Sequence, residues 1–245
     1  MGVAVDPTDS THFFIANNGG GNVQMYNRPV SQAATLAATI TGFVSPTHSG
    51  NPTAVAFDSV GNMFVADIDR IWSLAHPVGG ASVPTAIITT NLALATCVAV
   101  DAAGHLYVGD AGATGANGKL LSYAAPYSGA PVTTQIGILA TDAIVTCAVQ
   151  PGTNRIFLAN VSPGGSIVGY NTPLAANASP AITIANPAGT TPGGIAFDST
   201  GALYVGFSQT GSTGIAAYAA PLGSSSPTFT FPNGGFFATG LAFGP

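Results

Sequence analysis

The chain has 245 residues and a formal net charge of −5, and only 5% of its residues are charged. It contains no Glu and a single Lys, which argues against long helices, because Glu, Lys and Arg usually occupy solvent-facing helix positions. The few basic residues form no stripe that would bind nucleic acid and no polybasic patch that would bind a membrane surface. Pro and Gly interrupt the long uncharged stretch 71–100, so no membrane insertion is predicted.

The start of the chain predicts no signal peptide, because Met1 is followed at once by Gly-Val-Ala-Val-Asp, without a basic segment or a cleavage site. The surface is expected to be poor in charge and rich in Thr, Asn and Gly. Such a surface is similar to that of secreted bacterial proteins. We therefore expect an extracellular or periplasmic location.

One short strand recurs through the chain. Its copies lie at 2–6, 54–58, 97–101, 146–150, 194–198 and 240–244, and each has Ala at its centre. They follow one another about every 48 residues, a period typical of propeller blades. A small central residue suits the innermost strand of a blade, where neighbouring blades converge.

Three further strands follow each of the first five copies. The second strands are apolar and aromatic and lie at 13–17, 63–67, 106–110, 156–160 and 203–207. Each third strand ends in Tyr or Leu shortly before a Pro, and each fourth strand is rich in Thr and Ile. Apolar and β-branched runs bounded by Gly, Pro and Asn predict strands, and four strands per repeat are typical of a propeller blade.

The sequence therefore predicts a single all-β domain over 1–245, a β-propeller of four-stranded antiparallel blades. Five complete blades are expected at about 2–49, 50–93, 94–142, 143–190 and 191–236. An extra strand at 237–245 repeats the first strand of a sixth blade, so the ring has five or six blades. An incomplete last blade would expose sheet edges and favour self-association.

The repeat resembles that of the NHL family, whose blades read roughly as strand, Asp-x-x-Gly, strand, Ala-Asp, then Asn or Arg with Ile. The segments that match this pattern best are residues 55–67 together with 70–71, and residues 98–110 together with 117–119. The likeness covers essentially the whole chain, and its specificity lies in five repetitions. Gln150 and Phe207 depart from the two Asp positions, and three repeats lack the basic residue. The resemblance implies a propeller, commonly one of six blades.

The Asp residues between first and second strands are predicted to be turn residues. Asp58, Asp101 and Asp198 each begin an Asp-x-x-Gly sequence. The side chain of Asp at the first position of a type I turn accepts hydrogen bonds from backbone N–H groups, and Gly is favoured at the fourth position. These residues are therefore not expected to form a ring of metal ligands.

The ends of the second strands predict a candidate ligand site. One face of a propeller carries the loops between second and third strands together with those between blades, and we call it the loop face. Asn17, Asp67, Asp110, Asn160 and Phe207 are expected to ring it, with turn capping as the alternative to ligand contact. The loops that follow differ in length, as a recognition surface requires. The candidate polar contacts are Asn17, His48, Asp67, Asp69, Arg70, Asp110 and Asn160.

Neither a metal nor a cofactor is predicted, because the four His residues do not converge. Cys97 and Cys147 are one repeat apart, but their positions within the repeated strand differ by one residue. Alternate residues of a strand point to opposite faces, so the two side chains are expected to remain separate buried thiols. Trp72 could offer a stacking surface, although a packing role is favoured.

The sequence favours a non-enzymatic binding module for a protein, peptide or carbohydrate partner. Propeller enzymes such as the gluconolactonase and strictosidine-synthase-like families are similar in fold, but are understood to use a Glu carboxylate, which this chain lacks. The alternatives are a degenerate lactonase- or lyase-like enzyme with an Asp-bound divalent metal, and a structural spacer.

Overall fold

The computed structural model describes residues 2–29, 34–112, 118–136, 144–160, 165–185, 190–209, 212–223, 226–232 and 239–243. These residues form twenty strands and one short 3-10 helix, Asn18–Gly20. Blade 1 contains β1 (Val3–Ala4), β2 (His12–Asn17), β3 (Asn22–Asn27) and β4 (Leu36–Ile40). Blade 2 contains β5 (Pro52–Phe57), β6 (Met63–Asp67), β7 (Arg70–Leu74) and β8 (Thr85–Ile88). Blade 3 contains β9 (Ala95–Val100), β10 (Leu106–Asp110), β11 (Gly118–Tyr123) and β12 (Val132–Ile136).

The last two blades have the same organisation. Blade 4 contains β13 (Ile144–Val149), β14 (Arg155–Asn160), β15 (Ser166–Asn171) and β16 (Ile182–Ala185). Blade 5 contains β17 (Thr191–Phe197), β18 (Leu203–Gln209), β19 (Ser212–Tyr218) and β20 (Phe229–Pro232). In every blade the four strands pair in chain order, and all the pairs are antiparallel. The predicted all-β propeller of four-stranded antiparallel blades is confirmed.

The innermost strands β1, β5, β9, β13 and β17 pack on one another in sequence, from β1 on β5 to β13 on β17. Small residues permit this approach. A Cβ atom built on Gly2 would lie 2.7 Å from the Cα atom of Ala54 in the next blade, closer than real Cβ atoms come. The repeated Ala residues of the five innermost strands line the central cavity between them.

Apolar side chains between the blades form the core. Phe14 of blade 1 contacts Phe57 of blade 2 at 5.0 Å between ring centroids, and Phe157 of blade 4 contacts Phe197 of blade 5 at 5.2 Å. Blades 2, 3 and 4 each bury one face against the preceding blade and the other against the following one. The two faces of a blade therefore pack on different partners.

The turns between first and second strands share one hydrogen-bond pattern in blades 2, 3 and 5. In each of three blades one carboxylate oxygen accepts hydrogen bonds from the backbone N–H groups two and four residues later, as found for Asp58, Asp101 and Asp198. The Gly that closes each turn has a positive φ, between 81° and 86°. The predicted turn role of these Asp residues is confirmed.

The Pro that follows each third strand is preceded by a cis peptide bond in all five blades, at Pro29, Pro77, Pro126, Pro173 and Pro221. Pro has no N–H group with which to continue a ladder, so the third strand ends before it.

The prediction that Phe207 ends the second strand of blade 5 is wrong. β18 continues to Gln209, and Phe207 pairs with Gly214 of β19 inside the sheet. The Phe207 side chain is buried between blades 4 and 5. A Cβ atom at Gly214 would lie 2.8 Å from the Phe207 ring, so the glycine leaves the space that the ring occupies.

The prediction that the two cysteines remain separate is also wrong. Cys97 of β9 and Cys147 of β13 form a disulfide, with 5.7 Å between their Cα atoms. Adjacent blades pack face to face, so a side chain on one face of blade 3 meets a side chain on the opposite face of blade 4. Cys97 and Cys147 both lie in the apolar cluster between these blades. The one-residue offset between the two repeats is therefore what makes the bond possible.

Candidate functional site

The loop face is continuous across the first three blades. The Asn18 side chain donates to the Asn51 carbonyl, which links the first hairpin to the loop before blade 2. The Ala95 N–H group donates to the Ile68 carbonyl at 2.8 Å, which links the hairpin of blade 2 to the loop before blade 3. Loops from different blades therefore support one another on this face.

Asp67 ends β6 and is completely buried. Its carboxylate accepts hydrogen bonds from the Asn51 N–H group at 2.9 Å and from the Trp72 indole N–H group at 3.2 Å. Burial raises the pKa of Asp67, while the Trp72 hydrogen bond and the nearby His48 act in the opposite direction. Asp67 therefore anchors the loop before blade 2 and is not accessible from solvent.

Asp110 ends β10 and has the corresponding role in blade 3. It is completely buried, and its carboxylate accepts hydrogen bonds from the N–H groups of Ala93, Leu94 and Gly112 at 2.8–3.1 Å. Two of these groups belong to the loop before blade 3, and the third belongs to the hairpin that follows Asp110. In a ligand site, Asp67 and Asp110 would hold loops in place instead of touching the ligand.

Asp69 is the centre of a partly exposed polar cluster. The Arg70 Nε–H group donates to it at 2.9 Å, and the Ser45 and Thr47 hydroxyls donate at 3.0 and 2.9 Å. His48 lies between two carboxylates, with Nε2 3.1 Å from Asp69 Oδ1 and Nδ1 3.7 Å from Asp67 Oδ1. The cluster fastens the loop 43–51 to the hairpin of blade 2.

Acid is expected to release this loop. The Arg70 hydrogen bond, followed by those from Thr47, His48 and Ser45, holds the pKa of Asp69 well below its usual range. Because the folded pKa is the lower one, Asp69 contributes stability above the unfolded value of about 4, and this contribution is lost as the pH falls below it. Asp69→Asn should therefore weaken the pH dependence of the unfolding free energy between about pH 4 and 2. Urea denaturation across this pH range measures it, and equal slopes for both proteins would contradict the assignment.

Trp72 lies in the middle of β7, beneath this cluster, and is 6% exposed. The Arg70 guanidinium lies 5.5 Å from the Trp72 ring centre, and Phe43 packs edge-on against the same ring at 6.1 Å. Trp72 therefore has the packing role that the sequence favours, and its ring supports Arg70 from below.

The remaining candidate residues lie elsewhere on the loop face. Asn17 ends β2, and its side-chain amide donates to Asn22 across the hairpin at 3.2 Å. Asn160 ends β14 in blade 4. The structure thus brings His48, Asp67, Asp69 and Arg70 into one cluster, while Asn17, Asp110 and Asn160 belong to other blades. Residues 113–117 and 161–164, in two of the loops predicted to vary in length, lie outside the described residues.

Apart from His48, sequence reasoning missed the residues of the loop between blades 1 and 2. Ser45 and Thr47 bind Asp69, and the neighbouring Val44 is 65% exposed. Leu94 in the loop before blade 3 is 38% exposed. These loops do not follow the repeat, so no internal comparison could identify them.

The carboxylates of the cluster are already engaged in hydrogen bonds. The Asp69 carboxylate is already satisfied by four side chains, and Asp67 is held by backbone and indole N–H groups. Across the described ranges, no three His, Cys, Asp or Glu residues are grouped in a way that could hold a metal ion. Also within those ranges, no helix is long and apolar enough to cross a membrane.

Comparisons with known proteins identify the fold alone. No family model matches the chain, and no curated protein matches it either. Among solved structures, 461 chains match, so the fold is a common one that carries no particular function by itself. One is the crystal structure of a nidogen/laminin complex, with a TM-score of 0.68 and 16% identity over 94% of this chain and 79% of the other. The chain is thus similar in fold to a known β-propeller structure.

Proposed function

We propose that this chain is an NHL-like binding module of a secreted or surface-located protein that recognises a protein or peptide partner on its loop face. The observation that carries the proposal is a mixed apolar and polar patch formed by loops of two neighbouring blades. This loop-face patch consists of Val44, His48, Asp69, Arg70 and Leu94.

Hydrogen bonds link the loops that carry the patch. The hydroxyl of Ser45, which follows Val44, donates a hydrogen bond to Asp69. The Ala95 N–H group, which follows Leu94, donates one to the carbonyl of Ile68, which precedes Asp69. Exposed apolar side chains beside fixed polar groups are the composition expected of a protein-binding surface. The anchoring carboxylates Asp67 and Asp110 hold these loops without a ligand, which reduces the entropy lost on binding.

Three further observations support this assignment. The turns on the opposite face are nearly identical in three blades, whereas the loops on the loop face differ in length and sequence, and functional residues concentrate on such loops. Disulfides persist in oxidising compartments, which supports a secreted location for a chain with a Cys97–Cys147 bond. The similar solved structure is named as a complex, so this fold is used there in association with another protein.

The test is a peptide-display and glycan-array screen followed by a comparison of two matched variants. Val44 is 65% exposed on the loop face, and Val60 is 62% exposed in a turn of the opposite face. Val44→Asp is expected to weaken binding of a selected peptide by about 10-fold or more, which corresponds to the loss of one buried apolar side chain. Val60→Asp should leave the affinity unchanged.

Three results would contradict the proposal. The first is loss of binding in Val60→Asp but not in Val44→Asp, which would move the site to the opposite face. The second is selection of glycans alone, which would favour a carbohydrate partner. The third is metal-dependent turnover of lactones or esters that vanishes in Asp67→Ala, which would favour an enzyme.

A further inference from the structure

A cavity of about 220 Å³ lies between blades 2 and 3, where the turn that begins at Asp58 meets the end of β7. We call it the interblade cavity, and it is on the face opposite the loop face. An apolar cavity of about 150 Å³ holds a benzene molecule, so this space has room for a six-membered ring with substituents. Its apolar walls are Phe64, Leu74 and Tyr127, and its polar walls are Asp58, Asn62 and Ser73.

In two other blades a tyrosine hydroxyl occupies the corresponding place. Tyr107 has in β10 the position that Phe64 has in β6, and its hydroxyl donates to Asp101 Oδ2 at 2.9 Å. Blade 5 has the same pair, because the Tyr204 hydroxyl donates to Asp198 Oδ2 at 3.3 Å. In both blades a hydroxyl group from the second strand therefore completes the hydrogen bonding of the turn carboxylate.

Blade 2 keeps the polar partners of such a hydroxyl, but Phe64 does not supply the hydroxyl itself. Asp58 is the turn carboxylate, and Ser73 corresponds to Ser122, which hydrogen-bonds to the tyrosine hydroxyl in blade 3. Among the described residues, Asp58 Oδ2 accepts one hydrogen bond, from the Asn62 side chain at 2.8 Å, and a carboxylate oxygen can accept two. The interblade cavity thus presents a carboxylate oxygen and a serine hydroxyl around the place that a hydroxyl group fills in blade 3.

The apolar wall also differs from that of the other interfaces. The residue after the Pro that follows the third strand is a buried aliphatic side chain in three blades, as Val78, Leu174 and Leu222. In blade 3 this residue is Tyr127, which is half-buried and packs edge-on against Phe64 at 5.6 Å between ring centroids. Tyr127 has a φ of 66°, a conformation that costs energy for a bulky residue and that occurs often in ligand sites. An aromatic ring therefore lines this interface where an aliphatic group fills the others.

We propose that the interblade cavity binds one sugar ring of a carbohydrate, with a sugar hydroxyl in the place that the Tyr107 hydroxyl occupies in blade 3. This hydroxyl donates to Asp58 and accepts from Ser73, because a hydroxyl group has both a donor and acceptors. An ammonium group has donors alone, so it reproduces only half of the arrangement. The Tyr127 ring, held by the hydrogen bond from its hydroxyl to the Gly104 carbonyl at 3.0 Å, packs against the C–H groups of the sugar.

Phe64→Tyr is expected to fill the interblade cavity with the missing hydroxyl. The new hydroxyl should bind Asp58 and Ser73 and raise the melting temperature by about 2–4 °C, the shift that one additional hydrogen bond gives in a chain of this length. Phe157→Tyr in blade 4 is the matched control. It places a hydroxyl at the equivalent position of a fully buried ring, but Gln150 stands there in place of the Asp, so the melting temperature should not rise. Differential scanning calorimetry measures both variants.

The probes are free glucose, galactose, mannose and N-acetylglucosamine, together with a glycan array that presents the same units at the ends of chains. At least one of them is expected to bind the intact protein. A free sugar that binds should also raise the melting temperature, because a ligand that binds only the folded state stabilises it. Binding of a free sugar assigns the cavity to a soluble sugar, and binding on the array alone assigns it to the terminal residue of a glycan.

Variants of the protein locate the bound sugar. Phe64→Tyr should abolish binding, because its hydroxyl takes the place of the sugar hydroxyl. Asp58→Asn should weaken binding by about 10-fold or more, the effect of losing a hydrogen bond to a charged group, while its amide oxygen remains for the turn. Asp198→Asn, in the equivalent turn of blade 5, is the control and should bind normally. Val44→Asp should also bind the sugar normally, because the loop-face patch is on the opposite face, so this inference and the proposed function fail or succeed separately.

Four results would overturn the proposal. The first is no binding of any sugar at millimolar concentration or of any glycan on the array, which would leave water as the occupant. The second is sugar binding that Phe64→Tyr and Asp58→Asn leave unchanged, which would place the site elsewhere. The third is tighter binding of n-butylammonium than of every sugar, which would assign the cavity to an organic cation. The fourth is a melting temperature of Phe64→Tyr below that of the wild type, which would show that the cavity has no room for the hydroxyl.

Discussion

Replacing Cys97 and Cys147 together with Ala is expected to lower the free energy of unfolding by about 2–4 kcal/mol. The bond joins residues separated by 50 positions, and a cross-link across a loop of that length restricts the unfolded chain strongly. It also joins the innermost strands of blades 3 and 4, whose cluster it helps to close. Small residues (Gly2, Ala54 and Gly194) occupy the position equivalent to Cys97 in blades 1, 2 and 5, so Ala is accommodated there.

Urea denaturation of the wild type and the double variant, each with and without reductant, measures this effect. Reductant should lower the stability of the wild type to about that of the variant and leave the variant unchanged. A wild type that is insensitive to reductant, or a loss below about 1 kcal/mol, would contradict the role of the bond in stability.

The disulfide shows where repeat-based reasoning reaches its limit. Alignment of the repeats places Cys97 and Cys147 on opposite faces of equivalent strands, and this placement is correct. The inference that they cannot meet fails, because the faces that meet between blades are opposite ones. A repeat describes one blade, whereas contacts between blades require the arrangement of the ring.

The fold was predictable because each blade repeats the same physical pattern. Alternating apolar residues, a small residue in the innermost strand and an Asp-x-x-Gly turn recur, and the structure confirms strands and turns at these places. Phe207 departs from the pattern, since a longer hairpin buries an aromatic side chain where other blades end their second strand. One residue that differs between repeats does not predict such a change in strand length.

The candidate site was predictable only in part. The repeat locates Asp67 and Asp110 at strand ends, but it does not reveal that both are completely buried under the loops they hold. The exposed members Val44 and Leu94 lie in loops that no other blade shares. Burial and loop conformation depend on contacts between blades, which a local sequence pattern does not contain.

Asp110→Ala is expected to lower the free energy of unfolding by about 3–4 kcal/mol. The substitution leaves the N–H groups of Ala93, Leu94 and Gly112 without their acceptor, and each unsatisfied buried donor costs about 1–3 kcal/mol. Water can reach part of the loop once the carboxylate is gone, so the total stays below the sum of the three costs. The loop before blade 3, which carries Leu94 of the loop-face patch, should become mobile at the same time.

Asp198→Ala is the matched control for this prediction. The Asp198 carboxylate also accepts hydrogen bonds from two backbone N–H groups. It does so in a solvent-exposed turn, where water can take the place of the carboxylate after the substitution. Its cost should therefore be about 1 kcal/mol or less. Urea denaturation compares the two variants, and hydrogen exchange at the Ala93 and Leu94 amides reports on the loop directly. If Asp110→Ala is no more destabilising than Asp198→Ala, or if those amides stay protected, Asp110 does not hold the loop.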